Sequence, residues 1–516
     1  MARIAVIGAG MGAMAAAARL AVAGHRVAVY ERGRTHGGSV GRLARDGFVF
    51  DTGPGLLHLP AVYRDLFIKT GKESLESCVE LSQVDPASRH VFPDGTDLRL
   101  PNASRAGVVR ALDEAFGAGS GERWGDLVNR AREAWDATRR PLLEEPLRTD
   151  RQALEHDPYP AVARRGWLRL GRGAQPGTLA RIASRELRDA GPVALLESYA
   201  LAYGLDPRTA PASATVLPYL EQTFGSWYAL GGMRALADAL YERCRARKVE
   251  FSFGAEVAAI VEKDGRAAGL TLADGTPVAA DAVVCGVDPA VLPRLLGGAR
   301  AWQDGDVQPP DGGSASGASG RLVVLLALRG ARPGDTAHRT VVHAADRGAE
   351  LASVFGDGSG EGAGAACRSR TVTVLRPDDP GTRPDGEHEA VTLTATVAAH
   401  GPVDWSDPDI AGREADRMVA AAEAAIPGLR DRVLWREVRT PYDTAADTGA
   451  EGGAVPAPAL AGAGGRHLRP ANLSRIPGLY LAGGGAHPGG GLAHAGMSGA
   501  MVAGLIVEGA DWRGSQ

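Results

Sequence analysis

The sequence predicts an α/β fold with two domains, the first of which is discontinuous in the chain. Two observations predict this fold. The first 31 residues read as a strand, a glycine turn, a helix and a second strand, and residues 478–508 read as a strand, a glycine-rich turn and a helix. Strands joined by helices in this way form parallel sheets. The length of 516 residues exceeds one simple domain, so the long middle part must supply a second one.

The opening unit is predicted from local signals. Residues 3–7 are β-like, residues 8–13 form the turn, residues 14–23 are an alanine-rich helix that Gly24 ends, and residues 25–31 form the second strand. The charged Arg19 and the glycines argue against a signal peptide here. We therefore expect a folded βαβ unit at the start of the chain.

The turn of this unit has the composition of a dinucleotide site. Gly8 permits a tight turn, Gly10 lets a diphosphate approach the backbone, and Ala13 is small enough for close helix–strand packing. Amides at the helix N-terminus then face the negative charge. Glu31 ends the second strand, where a carboxylate accepts ribose hydroxyls, and this favours an unphosphorylated ribose as in FAD or NAD. The alternative is a helix N-terminus with glycines and no ligand.

Composition excludes several classes of protein. The formal net charge of −4 and the pI near 6.3 argue against general nucleic-acid binding, which needs an excess of cations. The four cysteines are far apart and form no Cys-x-x-Cys pair, so we expect neither disulfides nor a metal site. We also expect no membrane-spanning helix, because no apolar run of about 20 residues lacks charge. A cytoplasmic location fits these features.

The C-terminal unit predicts the second half of the ligand site. Residues 479–492 read Leu-Tyr-Leu-Ala-Gly-Gly-Gly-Ala-His-Pro-Gly-Gly-Gly-Leu. Clustered glycines allow close backbone approach to a planar ligand, and the following helix N-terminus places partial positive charge beside it. A mobile glycine loop that caps the last helix is the alternative. No second glycine fingerprint with strand, helix and acid occurs, so a separate NAD(P)H domain is not expected.

These motifs together resemble the bacterial-type phytoene desaturase (carotenoid desaturase) family of FAD-dependent oxidoreductases, which is related to the amine oxidases. The resemblance rests on the opening turn and on five further stretches: residues 37–54, 224–233, 256–260, 439–443 and 469–472. The C-terminal motif is its most specific part. Two departures stand out, since Ser39 replaces the usual Arg after the glycine pair, and Ala493-His494 replaces the usual Pro-Gly. Arg42 is our candidate to replace the missing phosphate contact.

The resemblance implies FAD as cofactor and a specific set of residues that hold it. The predicted FAD-binding residues are Gly8, Gly10, Met11, Gly12, Ala13, Glu31, Arg32, Gly38, Ser39, Arg42, Gly53, Pro54, Gly55, Val257, Gly484, Gly485, Gly491, Leu492 and Ala493. It also implies the domain organisation. Residues 1–60, 225–290 and 440–516 form a discontinuous Rossmann-like FAD-binding domain, and residues 61–224 and 291–439 form an inserted α+β substrate-binding domain.

The implied function is a desaturase that transfers hydride from a hydrophobic isoprenoid or polyene substrate to flavin N5. A flavin-dependent isomerase or saturase, an amine oxidase and a prenyl-binding escort protein without flavin are the alternatives. The electron acceptor would be oxygen or a quinone. No metal ion is expected.

Other residues carry weaker signals. His494 is the candidate catalytic residue, for proton transfer or substrate polarisation, with packing at a helix N-terminus as its alternative. His58 is either a cavity residue or an ordinary hydrogen-bonded histidine. Glu221 is either a cavity acid or a residue of a solvated helix face, and we expect the solvated face. We expect Asp443 in a turn. Residues 161–185 hold six arginines and no acid beside Trp167. They predict either a peripheral membrane-docking surface or a solvated arginine face.

Overall fold

The computed structural model describes residues 1–148, 150–160, 177–298, 307, 318–357, 363–364 and 367–514. Most of the arginine-rich stretch, including Trp167, and most of the two glycine-rich stretches at 311–320 and 356–366 lie outside these residues. The strands are β1 Arg3–Ile7, β2 Arg26–Glu31, β3 Arg42–Arg45, β4 Phe48–Asp51, β5 Leu81–Gln83, β6 Ser88–Val91, β7 Asp97–Leu100, β8 Trp227–Ala229, β9 Glu250–Phe253, β10 Val257–Lys263, β11 Arg266–Leu272, β12 Pro277–Ala279, β13 Ala282–Cys285, β14 Ser319–Arg329, β15 Arg339–Val342, β16 Val372–Leu375, β17 His388–Ala398, β18 Val433–Arg439 and β19 Leu479–Leu481.

The α-helices of the described residues are α1 Met11–Val22, α2 Ala61–Gly71, α3 Arg105–Phe116, α4 Ser120–Arg139, α5 Gln152–Glu155, α6 Leu179–Glu186, α7 Ala190–Ala202, α8 Val216–Phe224, α9 Arg234–Ala246, α10 Leu292–Leu295, α11 Arg347–Phe355, α12 Pro408–Ala422, α13 Leu429–Arg432, α14 Pro441–Thr448 and α15 Leu492–Glu508. Among these helices, none combines the length and the apolar character needed to cross a bilayer.

A five-stranded parallel sheet joins the two ends of the chain. Its strand order is β19-β13-β1-β2-β9. Strand side chains alternate between faces, so Ile4 and Val6 pack with α1, whereas Ala5 and Ile7 pack on the side of the β10-β11-β12 sheet. Because β1 lies between β13 and β2, the opening βαβ unit forms the centre of the sheet. The predicted α/β fold is confirmed.

A seven-stranded mixed sheet forms the second part of the molecule, in the order β18-β14-β17-β16-β15-β6-β7. One face carries apolar side chains such as Leu322, Val324 and Leu393, which pack with Met418 of α12. The opposite face points into a large cavity. The long central strands β14 and β17 pair in antiparallel register, so the side chains that face the cavity are fixed relative to one another.

Helices α7 and α8 line the cavity on the other side, and α3, α4 and α6 pack with them around a separate apolar cluster that includes Trp124 and Leu196. The sequence pattern of residues 60–223 predicts mainly helices. The structure adds three strands there, β5, β6 and β7, and two of them extend the seven-stranded sheet. All three are short, and β6 and β7 contain charged residues, so none has the apolar run by which strands are recognised.

Candidate active site

One continuous cavity of about 2420 Å³ contacts both parts of the molecule. All the predicted FAD-binding residues except Ala13 line it, and so does His494. Ala13 lies behind the wall. A Cβ added to Gly286 would be 2.6 Å from the Ala13 Cβ, so the small side chain lets α1 approach the loop after β13. This is the packing role that the sequence motif assigned to Ala13.

The opening turn is held by Glu31. Its Oε2 accepts a hydrogen bond from the Ala9 N–H at 2.7 Å, and its Oε1 accepts one from the Gly33 N–H at 2.7 Å. Each carboxylate oxygen has a second lone pair, so contact with a ribose hydroxyl stays open to it. The sequence predicted only a ribose contact for Glu31. The structure shows that its carboxylate also fixes the loop.

The backbone around Gly10 leaves space for a ligand. A Cβ built on Gly10 meets no atom of the described residues within 4 Å, although Gly10 precedes the first turn of α1. No side chain caps this helix, and its first turn carries no acid. Uncapped amides beside an open volume are the arrangement that binds a diphosphate.

The C-terminal glycine loop reaches the same place. A Cβ on Gly12 would lie 2.7 Å from the Gly483 Cα, and a Cβ on Gly499 would lie 2.5 Å from the Gly12 carbonyl oxygen. Helices α1 and α15 therefore touch backbone to backbone. Gly491 precedes α15 without a side-chain cap. Both helices consequently present their N-termini to one cavity.

Arg234 stabilises the loop that contains Gly38 and Ser39 through hydrogen bonds. The sequence did not predict this role. Its guanidinium donates to the His36 carbonyl at 2.7 Å and to Asp238 at 2.7 Å. The only signal in the sequence was the glycine pair Gly231-Gly232 shortly before α9, which predicts a turn there but not its partner. Arg42, the candidate phosphate ligand, lies on β3 in the cavity wall, where its guanidinium donates to the Gly231 carbonyl at 3.2 Å.

Asp51 lies beside this part of the site and links two of its segments. Its carboxylate accepts hydrogen bonds from the Met233 N–H at 2.7 Å and the Arg234 N–H at 3.1 Å. Burial raises the pKa of Asp51 to about 6. The carboxylate thus joins the hairpin of β3 and β4 to the start of α9.

A buried polar cluster lies farther along the cavity. Glu221 accepts from the Arg339 Nη1 at 2.9 Å and also from Nη2, and the His58 Nε2 is 3.8 Å from the Glu221 Oε2. Burial alone would raise the pKa of Glu221, but the Arg339 guanidinium holds that pKa below its usual value. Burial lowers the pKa of His58. The expectation of a solvated face for Glu221 is wrong, because the strand that supplies Arg339 is 118 residues away in sequence.

The structure shows the surroundings of two further candidate residues, His494 and Asp443. His494 lines the cavity in the first turn of α15, and none of the described residues forms a hydrogen bond with its ring. Burial lowers the pKa of His494 to about 4, so the ring is neutral at pH 7. Asp443 lies in α14 rather than in a turn. Its carboxylate accepts from the Thr440 N–H at 2.7 Å in a capping box.

Comparison with known proteins identifies the family. Residues 14–316, more than half of the chain, match the family model described as flavin containing amine oxidoreductase. The chain belongs to this family. A hydroxyneurosporene desaturase of Cereibacter sphaeroides is 30% identical over 510 residues, with 98% of this chain and 97% of that protein covered. A neurosporene-forming phytoene desaturase of Rhodobacter capsulatus is 28% identical, with 98% and 94% covered.

The fold matches solved structures over nearly its whole length. An oxidoreductase from Methanosarcina mazei superposes with a TM-score of 0.63 at 18% identity, covering 97% of this chain and 99% of that one. Putrescine oxidase superposes with a TM-score of 0.59 at 13% identity, covering 98% and 99%. At these identities the likeness establishes the fold alone.

The cofactor of the chain is FAD, and the residues present fit it. The open space at Gly10, the uncapped N-terminus of α1 and Glu31 fit a diphosphate and a ribose at one end of the cavity. The other glycines allow a planar ring to approach the backbone near Gly484 and Leu492. The resemblance found in the sequence is therefore confirmed for family and cofactor.

Proposed function

We propose that this protein is an FAD-dependent desaturase that introduces a C=C bond into a long hydrophobic polyene. The observation that carries the proposal is the continuity of the cavity. The glycine-lined end, with Gly10 and Gly484, opens into a chamber lined by Leu217, Leu220 and Val323, so a long substrate can reach the flavin site. Full-length similarity to carotenoid desaturases supports this substrate class.

The reaction removes two hydrogens from adjacent carbons. When bound, FAD would supply the two-electron acceptor to which one of them leaves as hydride. The other leaves as a proton, and the C–H electron pair that it leaves behind forms the new π bond. The protein supplies position, exclusion of water and a proton acceptor.

We assign the proton acceptor to His494. Its ring is neutral because burial lowers its pKa to about 4, and it has no hydrogen-bond partner among the described residues. It also lies in the first turn of α15, beside Leu492 and Ala493 of the predicted flavin contact.

The two parts of the molecule have distinct proposed roles. We propose that residues 1–60, 225–290 and 440–516 bind FAD, and that residues 61–224 and 291–439 bind the substrate. A quinone or oxygen would accept the electrons afterwards. Cytoplasmic location with peripheral membrane contact through residues 161–185 stays a prediction.

The decisive experiment uses the purified protein under anaerobic conditions with a C40 polyene such as phytoene in detergent. We expect an oxidised-flavin absorption spectrum that is bleached by the polyene, and a product two hydrogens lighter by mass spectrometry. Free FAD with the same polyene is the control and stays oxidised. A product of unchanged mass would indicate an isomerase, a product two hydrogens heavier a saturase, and a protein that takes up no FAD an escort function. Each of these results contradicts the proposal.

A further inference from the structure

The cavity wall formed by the seven-stranded sheet is polar, although the proposed substrate class is hydrocarbon-like. In β17, Thr394 and Thr396 face the cavity, and in β16 Thr373 does so. Arg321 of β14 lies directly opposite Thr396 in the register of the two strands. The Thr396 hydroxyl already donates to the Leu201 carbonyl at 2.8 Å. A pure hydrocarbon would offer no acceptor to any donor of this wall that has none in the protein, which costs free energy when that donor is shielded from water.

Arg321 is the unusual member of this wall. Its Nη1 donates to the Thr396 Oγ1 at 2.8 Å, and its Nη2 donates to the Ala202 carbonyl at the end of α7. Within the described part of the chain, no carboxylate forms an ion pair with it. Burial lowers its pKa to about 10, so it remains a cation at neutral pH. It therefore places an uncompensated positive charge in the cavity wall.

Arg339 on the same sheet provides the contrast. It also lines the cavity, but both of its terminal nitrogens donate to Glu221, so its charge is balanced within the protein. The carbonyls at the end of α7 supply only a partial negative charge to Arg321. Two donors of Arg321, the Nε hydrogen and the second Nη2 hydrogen, have no hydrogen-bond acceptor among the described residues.

We infer that the substrate carries a carboxylate and that Arg321 binds it. This inference rests on the proposed desaturase function and adds to it a preference for polyenes that carry a carboxylate. Arginine presents parallel N–H donors that match a carboxylate, and Thr396 holds the guanidinium in place.

The position of Arg321 also orients the substrate. Ser319, two residues earlier on the same strand, accepts the Val455 N–H through its carbonyl at 3.0 Å. The next residue, Pro456, touches the C-terminal glycine loop, since a Cβ on Gly484 would be 3.1 Å from the Pro456 Cγ. The acid end of the substrate therefore lies on the side of the cavity that borders this loop.

The test measures binding to the FAD-loaded protein at pH 8 with three probes of one carbon skeleton: retinoic acid, retinol and the parent hydrocarbon. Dissociation constants come from perturbation of flavin absorbance. We expect the acid to bind about tenfold to a hundredfold more tightly than the other two, as for a charge-assisted hydrogen bond. Equal binding of all three by the wild-type protein would overturn the inference and needs no variant.

Variants then locate the contact. R321Q should lose the preference for the acid, R321K should keep part of it, and R329Q, at the exposed end of the same strand, should keep all of it. If Arg321 only caps α7, R321Q lowers the melting temperature but keeps the preference, and the inference fails.

The outcomes separate the two proposals. Flavin-dependent desaturation of hydrocarbon polyenes without any preference for the acid leaves the function standing and overturns the carboxylate site. Binding of the acid through Arg321 without desaturation supports the carboxylate site and overturns the proposed function.

Discussion

The two walls of the cavity are built by different means. The nucleotide wall is made of backbone: Gly12 and Gly483 approach so closely that a Cβ would not fit between them. The substrate wall is made of long side chains, such as Arg321, Arg339 and Glu221, that meet across the fold. Backbone surfaces suit a cofactor common to a whole family, whereas side chains on a sheet can change individually. The difference predicts which substitutions lower the FAD content, which lower the free energy of unfolding, and which change the dependence of that free energy on pH.

The largest expected effect is at Gly10. Its Cβ position is free of protein atoms and its φ of −73° suits any residue, so G10V should fold. Its side chain would nevertheless occupy the proposed diphosphate space, and we expect complete loss of FAD on purification. The measurement is flavin absorbance per protein, with circular dichroism to check folding.

The matched control for Gly10 is G386V. Gly386 is exposed, a Cβ there also meets no atom within 4 Å, and it lies outside the cavity. This variant should retain the wild-type FAD content. Normal flavin content in G10V would show that the opening turn does not contact the cofactor.

The sequence predicted the backbone wall of the cavity but not the side-chain wall. The turn at Gly8 and Gly10, Glu31 and the flanking strands lie within 31 residues, so local pattern was sufficient for them. The C-terminal glycines were equally local. The pairing of Glu221 with Arg339 and of Arg321 with Thr396 depends on strand register over many residues, which local pattern does not specify.

One signal for the substrate wall was present but not used. Thr392, Thr394 and Thr396 alternate with apolar residues along one strand. Such alternation indicates a sheet with one polar face. It could have predicted a polar cavity wall, although not that Arg321 would lie across from Thr396.

A buried ion pair in the seven-stranded sheet and an exposed one in the five-stranded sheet should contribute differently to stability. Glu389 is fully buried and accepts from Arg376 at 2.6 and 2.9 Å and from Arg432 at 2.9 Å. E389Q leaves two guanidinium groups near a neutral amide, and we expect a loss of about 3–5 kcal/mol in the free energy of unfolding. Urea unfolding followed by tryptophan fluorescence measures it.

The control for Glu389 is the exposed pair Arg3–Asp281, which joins β1 to the start of β13. D281N should cost less than about 1 kcal/mol, because water screens the pair. Equal losses in the two variants would mean that buried charge does not hold the seven-stranded sheet together.

The smallest expected effect is a pH dependence in the substrate part. The His90 Nδ1 is 3.0 Å from the His343 Nε2, and His343 stacks on Phe92 with ring centroids 4.2 Å apart. One ring must donate and the other accept, so the accepting ring is neutral, and burial lowers the pKa of both rings. Burial lowers the pKa of His343 to about 3, whereas an unfolded histidine titrates near 6.5. Between these values the unfolded state holds more protons, so the free energy of unfolding falls as the pH falls.

We therefore expect H343Q to lose stability less steeply than the wild-type protein between pH 6 and 4.5, by up to about 1.4 kcal/mol per pH unit. Asp51, whose pKa is raised to about 6, acts in the opposite direction, but it is the same in both proteins and cancels in the comparison. H156Q, at an exposed histidine, is the control and should keep the wild-type slope. If H343Q and the wild-type protein show parallel slopes in urea unfolding at each pH, the His90–His343 contact is not the neutral pair that its geometry indicates.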